Sequence, residues 1–338
     1  MNQEALRAVN DAFRCAVDFT SIYRSSVTTD LPHQFLFFAK PEMFDNCGDE
    51  AFGNRMQLLF DSIARFGFVI EEISLISGSF LNRHAVISDH YGVIDRVARD
   101  PINALSDEGK QRFHEIYGMS ISDAPVVGGI DYIDEPSSMD AASLATRWLE
   151  IGFEKLTGGS YCQFLPGENR YLFNGFYPDM LNHYTRNEAR IAVFVLRGAI
   201  GWEEARKLFV GATIPAKAEV GSIRRLLLDN RDALEIPQIS ANLNGVHLSA
   251  GALEGLVELL RFTDDRTSNG KEPSEFVFGR QLEAEFSFDQ FAAILDNRDV
   301  ESDGEMKSLY DLTEELDSTK AIAVLRSVVS QLDSEARA

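Results

Sequence analysis

Phe35–Ala39 reads FLFFA without a polar break and stops at Lys40-Pro41. A run this short and this apolar is expected as a buried strand, and proline ends it because it has no N–H to continue a ladder. Phe68–Ser77 and Arg190–Leu196 are expected as further strands. Between and around them, apolar residues fall at helical spacing. Residues 4–22 place Leu6, Val9, Phe13, Val17 and Ile22 on one face, and residues 49–66 do the same with Phe52, Met56, Leu59, Ile63 and Phe66. Residues 251–262 form a strongly apolar helix. Strands alternate with helices, yet several connections are too short for a wide doubly wound sheet. The expected class is α+β, a compact sandwich with helices on one or both faces of a small sheet. Element order alone leaves the topology open.

The remaining chain divides unevenly. Gly78–Ala98 is mostly helical with an interruption near His90-Tyr91-Gly92, and the stretch from about 100 to 190 has a different texture. It carries a helix near 106–117, a glycine-rich loop at Val126–Gly129 and an amphipathic helix at 138–156. Ser160–Leu165 and Asn169–Phe173, joined by Pro166-Gly167-Glu168, read as a hairpin, and a short helix contains Met180 and Leu181. The main pattern resumes with a helix at 201–209, a loop rich in Gly, Thr and Pro, and the segment SIRRLLLDN. Residues 264–338 give a strand near Glu275–Phe278 and two or three acidic helices, with no internal repeat or low-complexity tract in the chain.

Composition removes several classes of function. The 338 residues are 45% hydrophobic, ample for a packed core. No stretch approaches the roughly 18 apolar residues of a membrane helix, and the N-terminal segment has no basic region or cleavage signature, so a cytoplasmic protein is expected. Cys15, Cys47 and Cys162 are widely spaced and odd in number, reduced thiols by expectation and no metal framework. His33, His84, His114 and His183 are scattered without ligand spacing, and no metal site is expected. The net charge of −21 argues against nucleic acid or an anionic membrane as main partner. Any phosphate site must therefore gather its cations locally. Asp131–Glu135 reads as an acidic surface loop, and the aromatic run Phe173–Pro178 as core or rim.

The chemistry concentrates near one histidine. Asn244-Gly245-Val246-His247-Leu248-Ser249-Ala250 places it among short residues just before a helix. A neutral imidazole is a competent nucleophile toward phosphorus, and a helix N-terminus favours an incoming anion. Glu258 follows eleven positions later, inside the helix, where it either faces solvent or turns toward the histidine and holds one ring nitrogen. Upstream, Gly211-Ala212-Thr213-Ile214-Pro215 and Gly221-Ser222-Ile223-Arg224-Arg225 flank Lys217, with Arg206 and Lys207 just before. Glycine amides, hydroxyls and guanidinium groups are the parts of a phosphate cradle. Lys40 adds a cation at a strand end, where ligands often meet sheets.

Taken in order, these motifs resemble the nucleoside diphosphate kinase family. Asn244, His247 and Ser249 match its N-x-x-H-x-S signature, and Glu258 stands at its glutamate position. Gly211–Pro215 and Gly221–Arg224 match its G-x-T-x-P and G-[ST]-I-R segments; FFAKPE and His90-Tyr91 match two more. The likeness spans roughly 34–98 and 190–263. It implies a ferredoxin-like core built from 1–99 and 190–263, an inserted α+β block at 100–189 and a helical extension at 264–338. It also implies ping-pong transfer, in which His247 takes the γ-phosphoryl group of a nucleoside triphosphate such as ATP and gives it to an acceptor. Lys40 and Asn244 would contact the sugar hydroxyl and the travelling phosphoryl, and Tyr91 would shape the pocket. Thr213, Arg224, Lys207 and Arg206 would hold phosphates, Ser249 and Glu258 would orient the histidine, and Mg²⁺ would ride on the nucleotide. The chain departs from the pattern at Leu248 and Ala250, where glycine and aspartate are usual, at Lys207 in place of arginine, and after Tyr91, where VIDRVARDP lacks the phenylalanine that clamps the base. The partners implied are a nucleotide and a small phosphoryl acceptor; self-association stays open. The alternative is a nucleotide-binding module without turnover, acting through protein partners.

Overall fold

The expected helix over 4–22 is two elements. A computed structural model describes residues 2–332 except 14, 16, 17, 28, 137, 138, 268 and 269, so Val17 of that expected helix lies outside the described residues. Helix α1 (Asn2–Ala12) buries Ala5 and Val9 and ends well before residue 22. The chain then forms strand β1 (Phe19–Arg24), whose Thr20, Ile22 and Tyr23 favour extended backbone. The expected strand at Phe35–Ala39 is β2 (His33–Ala39). Helix α2 (Asp49–Arg65) follows, with acidic residues in its first turn and Arg65 in its last, the arrangement the helix dipole favours. It buries Phe52, Met56, Leu59, Phe60 and Ile63. Strand β3 (Val69–Ser77) completes a strand–helix–strand unit.

Residues 78–188 form a separate compact unit. It begins at Gly78, ahead of the expected insertion at 100–189. Three short helices, α3 (Gly78–Arg83), α4 (Val86–His90) and α5 (Gly92–Arg99), break where expected, near Tyr91. After α6 (Pro101–Ala104) comes α7 (Asp107–Tyr117), capped by the Ser106 hydroxyl accepting from Gly109 N at 3.2 Å. The expected glycine loop is in fact strand β4 (Val126–Gly128), and the expected acidic loop after it is helix α8 (Gly129–Asp134). Helix α9 (Ala141–Ile151) stops short of 156, because Gly152 leaves helical backbone and β5 (Glu154–Thr157) begins; residue 138 of its expected range lies outside the described residues. The hairpin β6 (Ser160–Leu165) and β7 (Arg170–Phe173) forms as read, followed by α10 (Tyr177–Thr185). The sheet runs β4-β7-β6-β5, with β4 parallel to β7. Phe173 and Tyr177 are buried, so that part of the aromatic run is core.

The first unit resumes with β8 (Arg190–Gly198), then α11 (Trp202–Glu204), which widens into a π-helical turn at Ala205–Val210. Helix α12 (Ile223–Asp229) leads to β9 (Val246–Leu248), so His247 lies on a strand and not in a loop, and α13 (Ala252–Phe262) follows. The expected strand near Glu275–Phe278 does not form. Pro273–Glu275 is a 3-10 turn with a reciprocal Glu272–Glu275 cap, and α14 (Val277–Glu285) buries Phe278 and Leu282 one turn apart. Then come α15 (Phe288–Leu295), the hairpin β10 (Asp299–Ser302) and β11 (Glu305–Ser308), α16 (Leu309–Thr313) and α17 (Ser318–Leu332). These elements belong to the same compact unit as residues 1–77. Its five-stranded sheet has the order β1-β3-β8-β2-β9 with every neighbouring pair antiparallel. The protein is thus a mixed α+β structure. No helix among the described residues is long and apolar enough to cross a membrane.

Candidate active site around His247

β9 is only three residues long, and its position depends on what surrounds it. It pairs with β2 so that Phe38 stands opposite His247. Gly245 immediately precedes the strand with φ +81°, a left-handed conformation that favours glycine, and a side chain there would strike Leu227 and the Met43 sulfur. Its N–H donates to Glu42 Oε1 at 2.8 Å, and its carbonyl accepts from Lys40 N at 2.9 Å. Beyond the strand, Ser249 N donates to Leu36 O at 3.2 Å. His247 is therefore held by the sheet itself.

Glu258 turns toward the histidine, which resolves the choice the sequence left open. Both of its oxygens lie 3.0 Å from His247 Nε2, and the Ser249 hydroxyl donates to Oε2. The Glu258 side chain is 1% exposed and that of His247 is 18% exposed. An ionised carboxylate only accepts, so the proton belongs on Nε2 and the lone pair on Nδ1. Phe38 stacks on the imidazole, with centroids 4.5 Å apart and planes 19° from parallel.

His247 lines a cleft of about 510 Å³ together with Thr213, Lys217 and Arg224, and Arg206 and Lys207 lie on its wall. Most of the expected phosphate-holding groups do converge. Arg224 donates through Nη1 to Gly211 O at 2.8 Å and through Nη2 to Val246 O at 3.1 Å, tying the Gly211 loop to β9. Arg206 departs from expectation, because its guanidinium donates to Glu314 Oε1 at 2.5 Å and forms an ion pair with Glu315 Oε1 at 3.0 Å.

Lys40 and Asn244 depart further. Lys40 Nζ donates to Asn244 Oδ1 at 2.8 Å, and Asn244 Nδ2 donates to Thr213 O at 3.2 Å and Ala241 O at 2.8 Å. Both residues are buried, and neither lines the cleft. Burial pushes the Lys40 ammonium down to about 8, with Glu42 opposing and Arg224 reinforcing the shift. The pair braces the strand entrance. Tyr91 stands at the joint of α4 and α5 in the second unit, its ring beside His90 at 4.4 Å and Tyr184 at 6.4 Å.

Sequence reasoning missed Glu254. It lies one turn before Glu258 on the same face of α13, lines the cleft and accepts from Ala250 N at 3.2 Å. The i, i+4 spacing of the two glutamates was the available signal. Burial first, then the neighbouring Glu258, pushes its carboxyl up to about 8. An unfolded glutamate titrates near ~4.3. The folded state therefore binds the extra proton across that interval, and this contribution to stability is complete below the lower value and lost as pH rises through 8. Glu254→Gln keeps an acceptor for Ala250 but cannot ionise. Calorimetry at pH 5 and pH 8 should find the variant gaining stability relative to wild type as pH rises; an unchanged difference would exclude a buried, protonated Glu254.

No family model matches the sequence, and no curated protein matches it. Among solved structures, an NDP kinase from Pyrobaculum aerophilum is 18% identical, the match covering 69% of this chain and 96% of that one with a TM-score of 0.30. A superposition that weak decides neither fold nor chemistry.

Proposed function

We propose that the protein is a nucleotide-dependent phosphotransferase that carries the phosphoryl group on His247. The observation behind this reading is the Glu258 carboxylate on His247 Nε2, backed by Ser249, at a cleft lined by Thr213, Lys217 and Arg224. In the first half-reaction the Nδ1 lone pair attacks the γ-phosphorus of a nucleoside triphosphate. The N–P bond forms, the bond to the β-γ bridging oxygen breaks, and the diphosphate leaves with that electron pair. In the second, an oxygen of a nucleoside diphosphate or related acceptor attacks phosphorus and the N–P bond breaks. Glu258 keeps the proton on Nε2 throughout and stabilises the positive charge that the ring develops. Arg224, Thr213 and Lys207 hold phosphates, and Mg²⁺ arrives with the nucleotide as part of the substrate. Lys40 and Asn244 support the strand entrance and do not touch phosphate, because both are buried and neither lines the cleft. The core is read as ferredoxin-like. In support, β3-β8-β2-β9 is an antiparallel sheet whose strands are linked as two strand–helix–strand repeats, through α2 and through α11 with α12.

The two glutamates on Arg206 favour a second reading, a nucleotide-binding module that does not turn over. Incubation with γ-labelled ATP and Mg²⁺ separates the two. Wild type is expected to become an acid-labile, base-stable phosphoprotein, and His247→Ala to take up no label. Nucleotide binding without any label on wild type would give the case to the second reading.

A further inference from the structure

Arg206 is a cation on the cleft wall whose guanidinium already has anionic partners. Glu314 Oε1 accepts from it, Glu315 Oε1 forms an ion pair with it at 3.0 Å, and Glu315 lines the cleft itself. The two glutamates lie in the segment Thr313-Glu314-Glu315-Leu316-Asp317, between the body of α16 and α17. Several contacts pin that segment. Glu315 N–H donates to Ala250 O at 2.8 Å, one residue beyond Ser249. The Asp317 carboxylate accepts from Trp202 N at 3.0 Å, at the start of the helix that leads to Arg206. A side chain on Gly251 would meet Thr313 O at 2.7 Å, so the backbones approach closely. Glu315 is held at φ +60°, a left-handed conformation that non-glycine residues adopt only where the surroundings enforce it.

We propose that residues 313–317 form an acidic strap whose glutamates occupy Arg206 in the resting protein and are displaced by the phosphate chain of an incoming nucleotide; this rests on the phosphotransfer reading of the His247 cleft. A guanidinium fork fits carboxylate and phosphate equally well, so the two compete for the same donors. With both glutamates ionised, the Arg206 cluster carries a net charge of −1 and not +1, and the rim repels a polyanion until they withdraw. The Arg206, Glu314 and Glu315 side chains are 30%, 49% and 44% exposed. Ion pairs this open exchange partners at little cost. Displacement also bears on the Ala250 backbone contact next to the Ser249–Glu258 pair, so anion binding at the rim is linked to the segment that orients His247.

The test uses the full chain and two probes, inorganic tripolyphosphate and Mg²⁺–ATP, with affinities measured by calorimetry at fixed salt. Glu314→Gln with Glu315→Gln should bind tripolyphosphate about three- to tenfold tighter than wild type, and Glu314→Gln alone should show part of that gain. In an Arg206→Ala background the double substitution should change affinity less than about twofold, because nothing remains to be released. Equal tightening in both backgrounds would mean that the glutamates act only through their field, and the strap would be excluded. Unchanged affinity in both would exclude it too. Labelling of His247 by ATP is scored separately in the same proteins. Tripolyphosphate results as expected without label would leave the strap standing and remove phosphotransfer, whereas label with no change in affinity would do the reverse.

Discussion

Replacing Glu258 with glutamine is expected to slow phosphoryl uptake by His247 about 10²- to 10⁴-fold while nucleotide affinity changes little. The size of the effect comes from which nitrogen holds the proton. Both Glu258 oxygens are 3.0 Å from Nε2, and a carboxylate in that position admits only the Nε2–H form. An amide can donate as well as accept, so the glutamine variant also accommodates the ring with its proton on Nδ1, where the lone pair is needed. Loss of the negative charge removes a second contribution, stabilisation of the positive ring as the N–P bond forms. Oriented imidazoles in other enzymes lose about 10⁴ in turnover when their carboxylate is made an amide. Rapid-quench labelling with γ-labelled ATP measures the rate, and calorimetric titration measures affinity. A variant that labels at the wild-type rate would mean that Glu258 has a packing role alone. Ser249 Oγ retains an acceptor in the variant, so the fold is expected to survive.

The largest expected effect on stability lies away from the cleft, at Arg55. Its side chain is fully buried on α2, and its guanidinium donates to five backbone carbonyls, those of Glu42, Met43, Asp45, Leu234 and Glu235. These carbonyls lie in the loop after β2 and in the turn that follows α12, segments far apart in sequence. Arg55→Met fills much of the volume and leaves the carbonyls without their donor. Each buried polar group stranded in this way costs about 1–3 kcal/mol, and local relaxation recovers part of the sum. A net loss of about 3–5 kcal/mol follows, on the order of 10 °C in Tm. Arg55→Lys should recover only a minor part, because one ammonium cannot spread its donors over the same fork. Chemical denaturation gives the value directly; a loss below about 1 kcal/mol would show that the carbonyls find other donors. Because Glu42 in that loop accepts from Gly245 N, the Met variant should also loosen the entry to β9.

Legibility in the sequence followed how local each signal was. Strands β2 and β8 could be read because they are central and carry unbroken apolar runs, and β3 because isoleucine, leucine and valine recur along it despite Glu71 and Glu72. β1 could not, since an edge strand shows a mixed face and its residues extended an apparent helical pattern. β4 and β9 are three residues each, and partners distant in the chain make them strands. Glu275–Phe278 misled in the opposite direction, because aromatic and β-branched residues favour a strand while Pro273 and the Glu272–Glu275 cap start a helix. At the site, the His247–Glu258 interval survived folding because a short strand, a turn and two turns of helix bring the two side chains back together. That Lys40 and Asn244 engage each other was not legible, nor was the pairing of Arg206 with Glu314, 108 residues away, and with the adjoining Glu315. Charge complementarity names candidates in a sequence but does not pair them.

Phe38 covers one face of the His247 ring, and its own place is set by β2 and by Phe262, whose centroid is 5.3 Å away. The nitrogen lone pairs of imidazole lie in the plane of the ring, where a roof does not obstruct them. Only edge-on approach is open to an electrophile, and the ring cannot tip toward the roof without disturbing a central strand. The trajectory of any group transferred to His247 is therefore set by the sheet, through a phenylalanine that takes no part in the chemistry.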